Sequence, residues 1–503
     1  MILVAVWGVV VLPFAAAGGA ALAGRVPLPT GAVARGAAVV LLGATGGILA
    51  VAMRATGLPV AAQAGPLALR VDPLACLLSG LILGLSAVIQ WFAVRYLRGD
   101  PRQLWWVVWA NLLTGFSVLM VCAATVGVFT AGWIAAGASL VALLTIYRGL
   151  PGAADGARRA GIRFALGDLG LLAATVIVIV ATGHDVELTN LGAAVTRLPA
   201  SVQLLIALLA VGAALSRSTQ LPFHRWLPAT LTTPTPVSAL LHAGVVNAGA
   251  ILVIRFSPAI GDEPAAMVVL FVAGAATLIY ASAVRLVKPD VKGRLVFSTM
   301  AQMSYMIMAC GLGAYAGVVL HLVAHSLFKS SLFLGAGGGI RSHARARDWP
   351  APASRSGWVV AACWTLSTAS AIGAFFAATR ILGTLPGDPV TPLIAFVLVT
   401  AAVAGASWLT LAWSPTAVVI AVAAIGALGF GYTALLNLLS SAIPLPAAEH
   451  PVSAWWVAVP IIALGALQLA SARPGRWAPL NRRLYARLLA SSVPQPSARK
   501  ELV

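Results

Sequence analysis

Residues 216–255 read SRSTQLPFHRWLPATLTTPTPVSALLHAGVVNAGAILVIR. An arginine, Arg217, closes an apolar run; Pro222, Pro228, Pro234 and Pro236 follow; a second apolar run then carries a single histidine, His242. Proline removes a backbone donor and stops a helix. Lipid supplies no water to replace that donor, so a break of this kind survives in a bilayer only where it faces protein or a cavity. The stretch therefore reads as a helix end, a stiff re-entrant or interfacial connection, and a helix beside a pathway.

The rest of the chain supports a bilayer setting. Of 503 residues 60% are hydrophobic and 9% charged, against ~25% charged in an ordinary soluble domain, and the mean hydropathy is +0.96. This excludes a soluble enzyme, a disordered chain and a disulfide-built secreted domain. The four cysteines, Cys76, Cys122, Cys310 and Cys363, lie scattered in apolar stretches. They form no CxxC or His/Cys pattern, so neither a disulfide framework nor a bound metal is expected.

A spanning helix needs about 20 mostly apolar residues. That template predicts an all-α polytopic membrane protein of 14–15 spans. The fifteen candidates are 1–23, 34–53, 73–94, 104–126, 128–147, 164–183, 203–221, 236–256, 264–284, 295–313, 316–340, 357–379, 391–412, 415–438 and 453–471. The first is apolar from Met1 without a basic leader and reads as a retained span.

The charge is lopsided, with 32 Lys+Arg and 13 Asp+Glu. Alternate loops separate it. One set holds Arg25, Arg35, Arg95, Arg98, Arg102, the basics from Arg148 to Arg163, Arg225, those from Arg285 to Arg294 and from Arg341 to Arg355, and the tail from Arg473 to Lys500. The other holds only Arg54, Arg70, Arg197, Arg255 and Arg380, with Asp72, Asp185, Glu187, Asp262, Glu263, Asp388 and Glu449. By the positive-inside rule the N-terminus is outside and the C-terminus inside. The excess charge sets orientation and is no nucleic-acid footprint.

Arg217 and Lys329 are left within apolar spans, together with Asp168, His242, His321 and His325. An ionisable group at that depth costs several kcal/mol and commonly marks a pathway. His321, His325 and Lys329 are spaced four apart, a stripe about 12 Å long on one helix face. Titratable groups at that spacing suit a water-bridged proton relay; a polar seam between helices is the alternative. Arg217 either lines the break or snorkels to the surface, and Asp168 is either a pathway group or an interfacial carboxylate.

Three blocks now match a family. Ser216–Arg255, Asp290–Gly311 (DVKGRLVFSTMAQMSYMIMACG) and His321–Gly335 (HLVAHSLFKSSLFLG) resemble, in order, the antiporter-like membrane subunits of respiratory complex I and the Mrp sodium/proton antiporters. The resemblance extends over about residues 70–415. It implies two inverted five-helix repeats at 104–257 and 263–412, flanked by N-terminal helices 1–103, C-terminal helices 415–471 and a basic cytoplasmic tail 472–503. It also implies discontinuous helices at Arg217 and at Ser367–Arg380. Arg217 falls at the family's first channel lysine; His242, His321, His325 and Lys329 fall on its central polar axis, and Asp168 on its sixth-helix position. Two positions depart. Ile134, after Trp133, stands where the family has a fifth-helix glutamate, and Ala378 where it has a twelfth-helix lysine, with Arg380 the nearest substitute.

Around His242 the wording most resembles DabB-type subunits of inorganic-carbon accumulation complexes. That resemblance implies a proton or sodium path without catalysis or cofactor in this chain, in a bacterial inner membrane. It would energise hydration of carbon dioxide by a DabA-like zinc partner similar to β-carbonic anhydrase. The other readings are a subunit of a complex I or Mrp assembly, and a non-transporting scaffold.

Overall fold

The computed structural model describes residues 2–26, 28–54, 59–64, 66–346, 355–383, 391–446, 452–472 and 478–492. The chain begins with α1 (Ile2–Ala23), α2 (Thr30–Arg54) and a hairpin of β1 (Val60–Ala64) and β2 (Leu67–Val71). There follow α3 (Pro73–Tyr96), α4 (Gln103–Val121), α5 (Val126–Leu144), α6 (Pro151–Thr182), the short α7 (Leu191–Val195) and α8 (Ala200–Arg217). Next come α9 (Thr235–Ala243), α10 (Ala248–Arg255), the short α11 (Ser257–Ile260), α12 (Pro264–Val287), α13 (Val291–Gly311) and α14 (Tyr315–Ala346). The last are α15 (Gly357–Leu382), α16 (Thr391–Leu411), α17 (Pro415–Ala442), α18 (Ala458–Ala472) and α19 (Ala478–Ser492).

Every predicted span falls on a helix. Among the described residues thirteen segments are long and apolar enough to cross a membrane, α9 and α10 counting as one. The remaining two are α13, diluted by Lys292, Arg294, Ser298 and Gln302, and α18, only 15 residues long. The hairpin is the sole sheet among the described residues; it pairs Val60 with Val71 and was not foreseen.

Polar residues at the ends of the apolar runs cap the helices. Asp72 accepts from the Ala75 amide at 2.7 Å to start α3, ahead of Pro73 at the first helical position. Thr125, Asp290 and Ser414 cap α5, α13 and α17 in the same way. Glycines let neighbouring helices approach. A Cβ on Gly274 of α12 would lie 2.5 Å from the Met308 amide nitrogen of α13, and one on Gly167 of α6 would lie 2.8 Å from Ser216 Cβ of α8.

Contacts between loops keep to the two sets read from the charges. On one face Arg255 grips Asp72 at 2.5 and 3.0 Å and the Val121 carbonyl at 3.0 Å, while the Gly127 amide donates to Asp185 at 2.8 Å. On the other, Tyr147 donates to Asp100 at 2.5 Å, and Lys292 donates to the Leu231 and Thr233 carbonyls at 2.7 and 2.5 Å.

Two expectations change. The helix expected at 164–183 begins at Pro151, so Arg158, Arg159 and Arg163 are helical, and Arg159 pairs with Asp155 at 2.6 Å. At ~1.5 Å per residue its 32 residues exceed the ~30 Å hydrocarbon core. Ser367–Arg380 is not discontinuous: α15 runs unbroken through it. It contains no proline, and Ser370 and Thr379 turn their hydroxyls onto the Leu366 and Phe375 carbonyls at 2.7 and 2.8 Å, which leaves the backbone ladder intact. The tail is partly folded, with α19 set against α12 through Tyr280 and Ser491 at 3.3 Å. Arg347, Asp388, Glu449, Arg473, Arg476, Arg499 and Lys500 lie outside the described residues.

Candidate functional site

The breaks sit where 216–255 placed its prolines, with one addition. α8 ends at Arg217, and two 3-10 turns at His224–Trp226 and Pro228–Thr230 carry the chain to α9. The helix of His242 is itself interrupted: α9 stops at Gly244, and a single turn at Val245–Asn247 joins it to α10. The carbonyls freed around this turn find side-chain donors. Ser218 donates to Val246 O at 2.8 Å, Asn247 Nδ2 to Ala243 O at 2.8 Å, and His325 Nε2 lies 3.2 Å from His242 O. This segment is also the most enclosed span, 94% of it buried inside the protein against 22% for α17.

Two buried polar clusters flank the break. In the first, Arg217 does not snorkel; it is 1% exposed. Its Nη2 lies 2.6 Å from Asp168 Oδ1 on α6, and its Nη1 donates to the Trp133 carbonyl at 3.3 Å. The Trp133 indole donates to the same Asp168 oxygen at 2.7 Å. The guanidinium carbon sits 4.4 Å from the centroids of both the Trp133 and Phe164 rings, a cation–π sandwich. Gly137 on α5 makes the room: a Cβ there would lie 2.6 Å from Arg217 Nη2. Asp168 is thus a half-buried counter-ion to Arg217. It supplies the charge that Ile134 does not.

The second cluster lies on α14. Lys329 is fully buried and donates to Ser298 on α13 at 2.8 Å; among the described residues it makes no ion pair. One turn back, His325 pairs through Nδ1 with Gln302 Oε1. One turn further, the His321 ring stands 6.1 Å from that of His325 and 4.8 Å from that of Tyr305. His242 stacks on Phe333 at 4.5 Å. The stripe expected on one face is therefore present, and α9 adds His242 to it.

A cavity of about 60 Å³ lies between the first cluster and the broken helix. Arg217 lines it together with Asn247 at the break, Ser326 of α14, and Ser86, Thr114 and Ser117, among mainly apolar side chains. Asn247 Nδ2 donates to Ser326 at 2.8 Å, while its Oδ1 is buried with no protein partner. That volume and those partners suit a few ordered waters. Proton transfer between the clusters needs water, because the two cations do not touch.

Arg380 does not join the site. It is exposed on α15, whereas Ala378 is fully buried; two residues turn the side chain about 200° around a helix. Sequence reasoning missed Trp133 as a ligand of the ion pair, and also Ser298, Gln302, Asn247 and Gly137. Gly244 and Asn247 were the available signs of the second break. Among the described residues no group of three His, Cys, Asp or Glu side chains is placed to hold a metal.

A family model described as "NADH:quinone oxidoreductase/Mrp antiporter, TM" matches residues 123–374, half of the chain and the part that contains both clusters. The "Probable inorganic carbon transporter subunit DabB2" of Halothiobacillus neapolitanus is 36% identical over 308 residues, 59% of this chain and 55% of that protein. "NADH-quinone oxidoreductase subunit L" of Mycobacterium tuberculosis is 32% identical over 271 residues, 53% of this chain and 43% of that protein. The chain spans about half the length of the curated relatives it matches. A solved Mrp complex from Dietzia sp. shares the fold over 96% of this chain and 57% of its own, with a TM-score of 0.64 at 23% identity. From the family model over both buried clusters, the chain belongs to the NADH:quinone oxidoreductase/Mrp antiporter membrane family.

Proposed function

We propose that this chain is a proton-translocating membrane subunit, and that it energises inorganic-carbon uptake by a DabA-like zinc protein. The supporting observation is that the ion pair of Arg217 and Asp168 and the buried Lys329 with its histidines flank one broken, enclosed helix, with a cavity beside Arg217. The resemblance places a charge pair in the first half of the path. Here an arginine and a sixth-helix aspartate fill that role in place of a lysine and the fifth-helix glutamate. The relatives named as inorganic-carbon transporter subunits, at about 35% identity, favour the carbon-uptake role. On this reading the chain sits in a bacterial cell membrane with its basic loops and C-terminus in the cytoplasm. Chemistry on carbon dioxide belongs to the partner.

The second reading, a pumping subunit of a complex I or Mrp assembly, draws on the likeness to subunit L and on the Mrp fold. One experiment separates the two. Cells expressing the chain with its genomic neighbour should accumulate inorganic carbon, lose that accumulation on addition of an uncoupler, and lose it again in Lys329→Ala at normal membrane abundance. Accumulation unaffected by the uncoupler would reject the coupling. Sodium-driven pH change without carbon uptake would favour the second reading.

A further inference from the structure

The twelfth-helix position where the family places its second lysine is Ala378, fully buried and apolar, and Arg380 points away from it. If protons pass Lys329, some other group must carry them between it and the face of the acidic loops. A candidate lies between α13, α14 and α17. Tyr305 is 3% exposed, yet its hydroxyl has no hydrogen-bond partner among the described residues. The same holds for His321 Nε2 and for the Tyr432 hydroxyl. The Tyr305 and His321 rings are 4.8 Å apart, and the Tyr305 and Tyr432 hydroxyls approach one another without a well-aligned hydrogen bond.

Their places along the helices form a line. Lys329, His325 and His321 climb α14 toward its first turn. The Tyr432 hydroxyl is 3.8 Å from where a Cβ on Gly317 would sit, two residues inside the start of that helix. On α17, Gly429 packs on Ala374 and Asn437 donates to the Leu382 carbonyl at 2.8 Å. These two contacts bracket Tyr432 and set it level with Ala377 and Ala378 of α15. The phenol thus occupies the height, though not the helix, of the absent lysine.

Buried polar atoms without a well-formed hydrogen bond, His321 Nε2 and the two hydroxyls here, cost up to about 1–3 kcal/mol each. Apolar packing does not explain them, since phenylalanine would fill the same space without that cost. A hydroxyl both donates and accepts, so it passes a proton by rotating, without becoming ionised itself.

We infer that His321, Tyr305 and Tyr432 form a hydrated half-channel through which protons pass between Lys329 and the face of the acidic loops. This rests on the translocation reading above and adds a route to it. The test uses the full chain in proteoliposomes, with internal pH read by pyranine under a potassium-diffusion potential. Tyr305→Phe with Tyr432→Phe should cut proton flux by about tenfold or more and leave the melting temperature unchanged or higher. Lys329→Ala should abolish flux. Wild-type flux in the double phenylalanine variant, with Lys329→Ala inactive, would overturn the half-channel and leave translocation standing. A fall in flux accompanied by a matching loss of melting temperature would assign the hydroxyls to structure and also overturn it. No flux in the wild-type chain would overturn both.

Discussion

Arg217 and Lys329 are cations buried to the same degree, but the protein holds them in opposite ways. Arg217 is clamped by a carboxylate, a carbonyl and two ring faces. Lys329 has one serine hydroxyl and a line of histidines. The planar guanidinium suits a fixed, many-contact site, whereas an ammonium on a flexible stem suits a group that changes partners. The difference suggests a division of labour: the first cluster keeps its charge balanced in place, and the second leaves a proton free to exchange.

The largest expected effect follows from that contrast. Asp168→Asn strands the Arg217 charge and should cost about 3–5 kcal/mol of stability. Lys329→Met removes a buried ion that has no counter-ion and should leave the melting temperature of the detergent-solubilised chain equal or higher. Equal losses in the two variants would break the comparison. A smaller effect is expected at Gly137. A methyl there meets the guanidinium, so Gly137→Ala should cost about 1–3 kcal/mol and lower proton flux. Gly335→Ala on α14, where a Cβ meets nothing within 4 Å, should be silent in both assays. Similar losses at the two glycines would show that the crowding at Arg217 has no energetic weight.

The smallest effect concerns a third pair, outside the spans. Burial works to raise the Asp72 carboxyl, but the paired Arg255 guanidinium and the Ala75 amide outweigh it and hold the group below its ordinary 3.8. A depressed value means that the pair stabilises above pH 3.8 and stops doing so as pH falls through the lower folded value. Asp72→Asn should therefore cost about 1–2 kcal/mol at pH 7, and the gap from wild type should close below pH 3.8. A gap that persists in acid would show that the asparagine disturbs the α3 cap and not the charge pair.

Much of this was readable along the chain because lipid enforces it. Apolar runs of spanning length had to become helices, and Pro222 had to end one of them. The spacing of His321, His325 and Lys329 settled their common face before any fold was known. The breaks themselves were harder to read. The family resemblance suggested a discontinuity at Ser367–Arg380, yet hydroxyls bonded to their own helix leave it whole. Gly244 gave little warning, because its break depends on donors from Ser218 and His325, distant in sequence.

The ion pair marks the limit most clearly. The sequence by itself determined that Arg217 and Asp168 are out of place in lipid, because each carries a charge inside an apolar run. It determined also that the fifth-helix glutamate is missing at Ile134. Only the tertiary structure decided that Asp168 answers Arg217 across 49 residues, that Trp133 and Gly137 shape the space between them, and that a cavity opens from Arg217 toward Asn247 and Ser326. Burial of a single charge is a local property of composition, whereas its neutralisation depends on which helices the packing brings together.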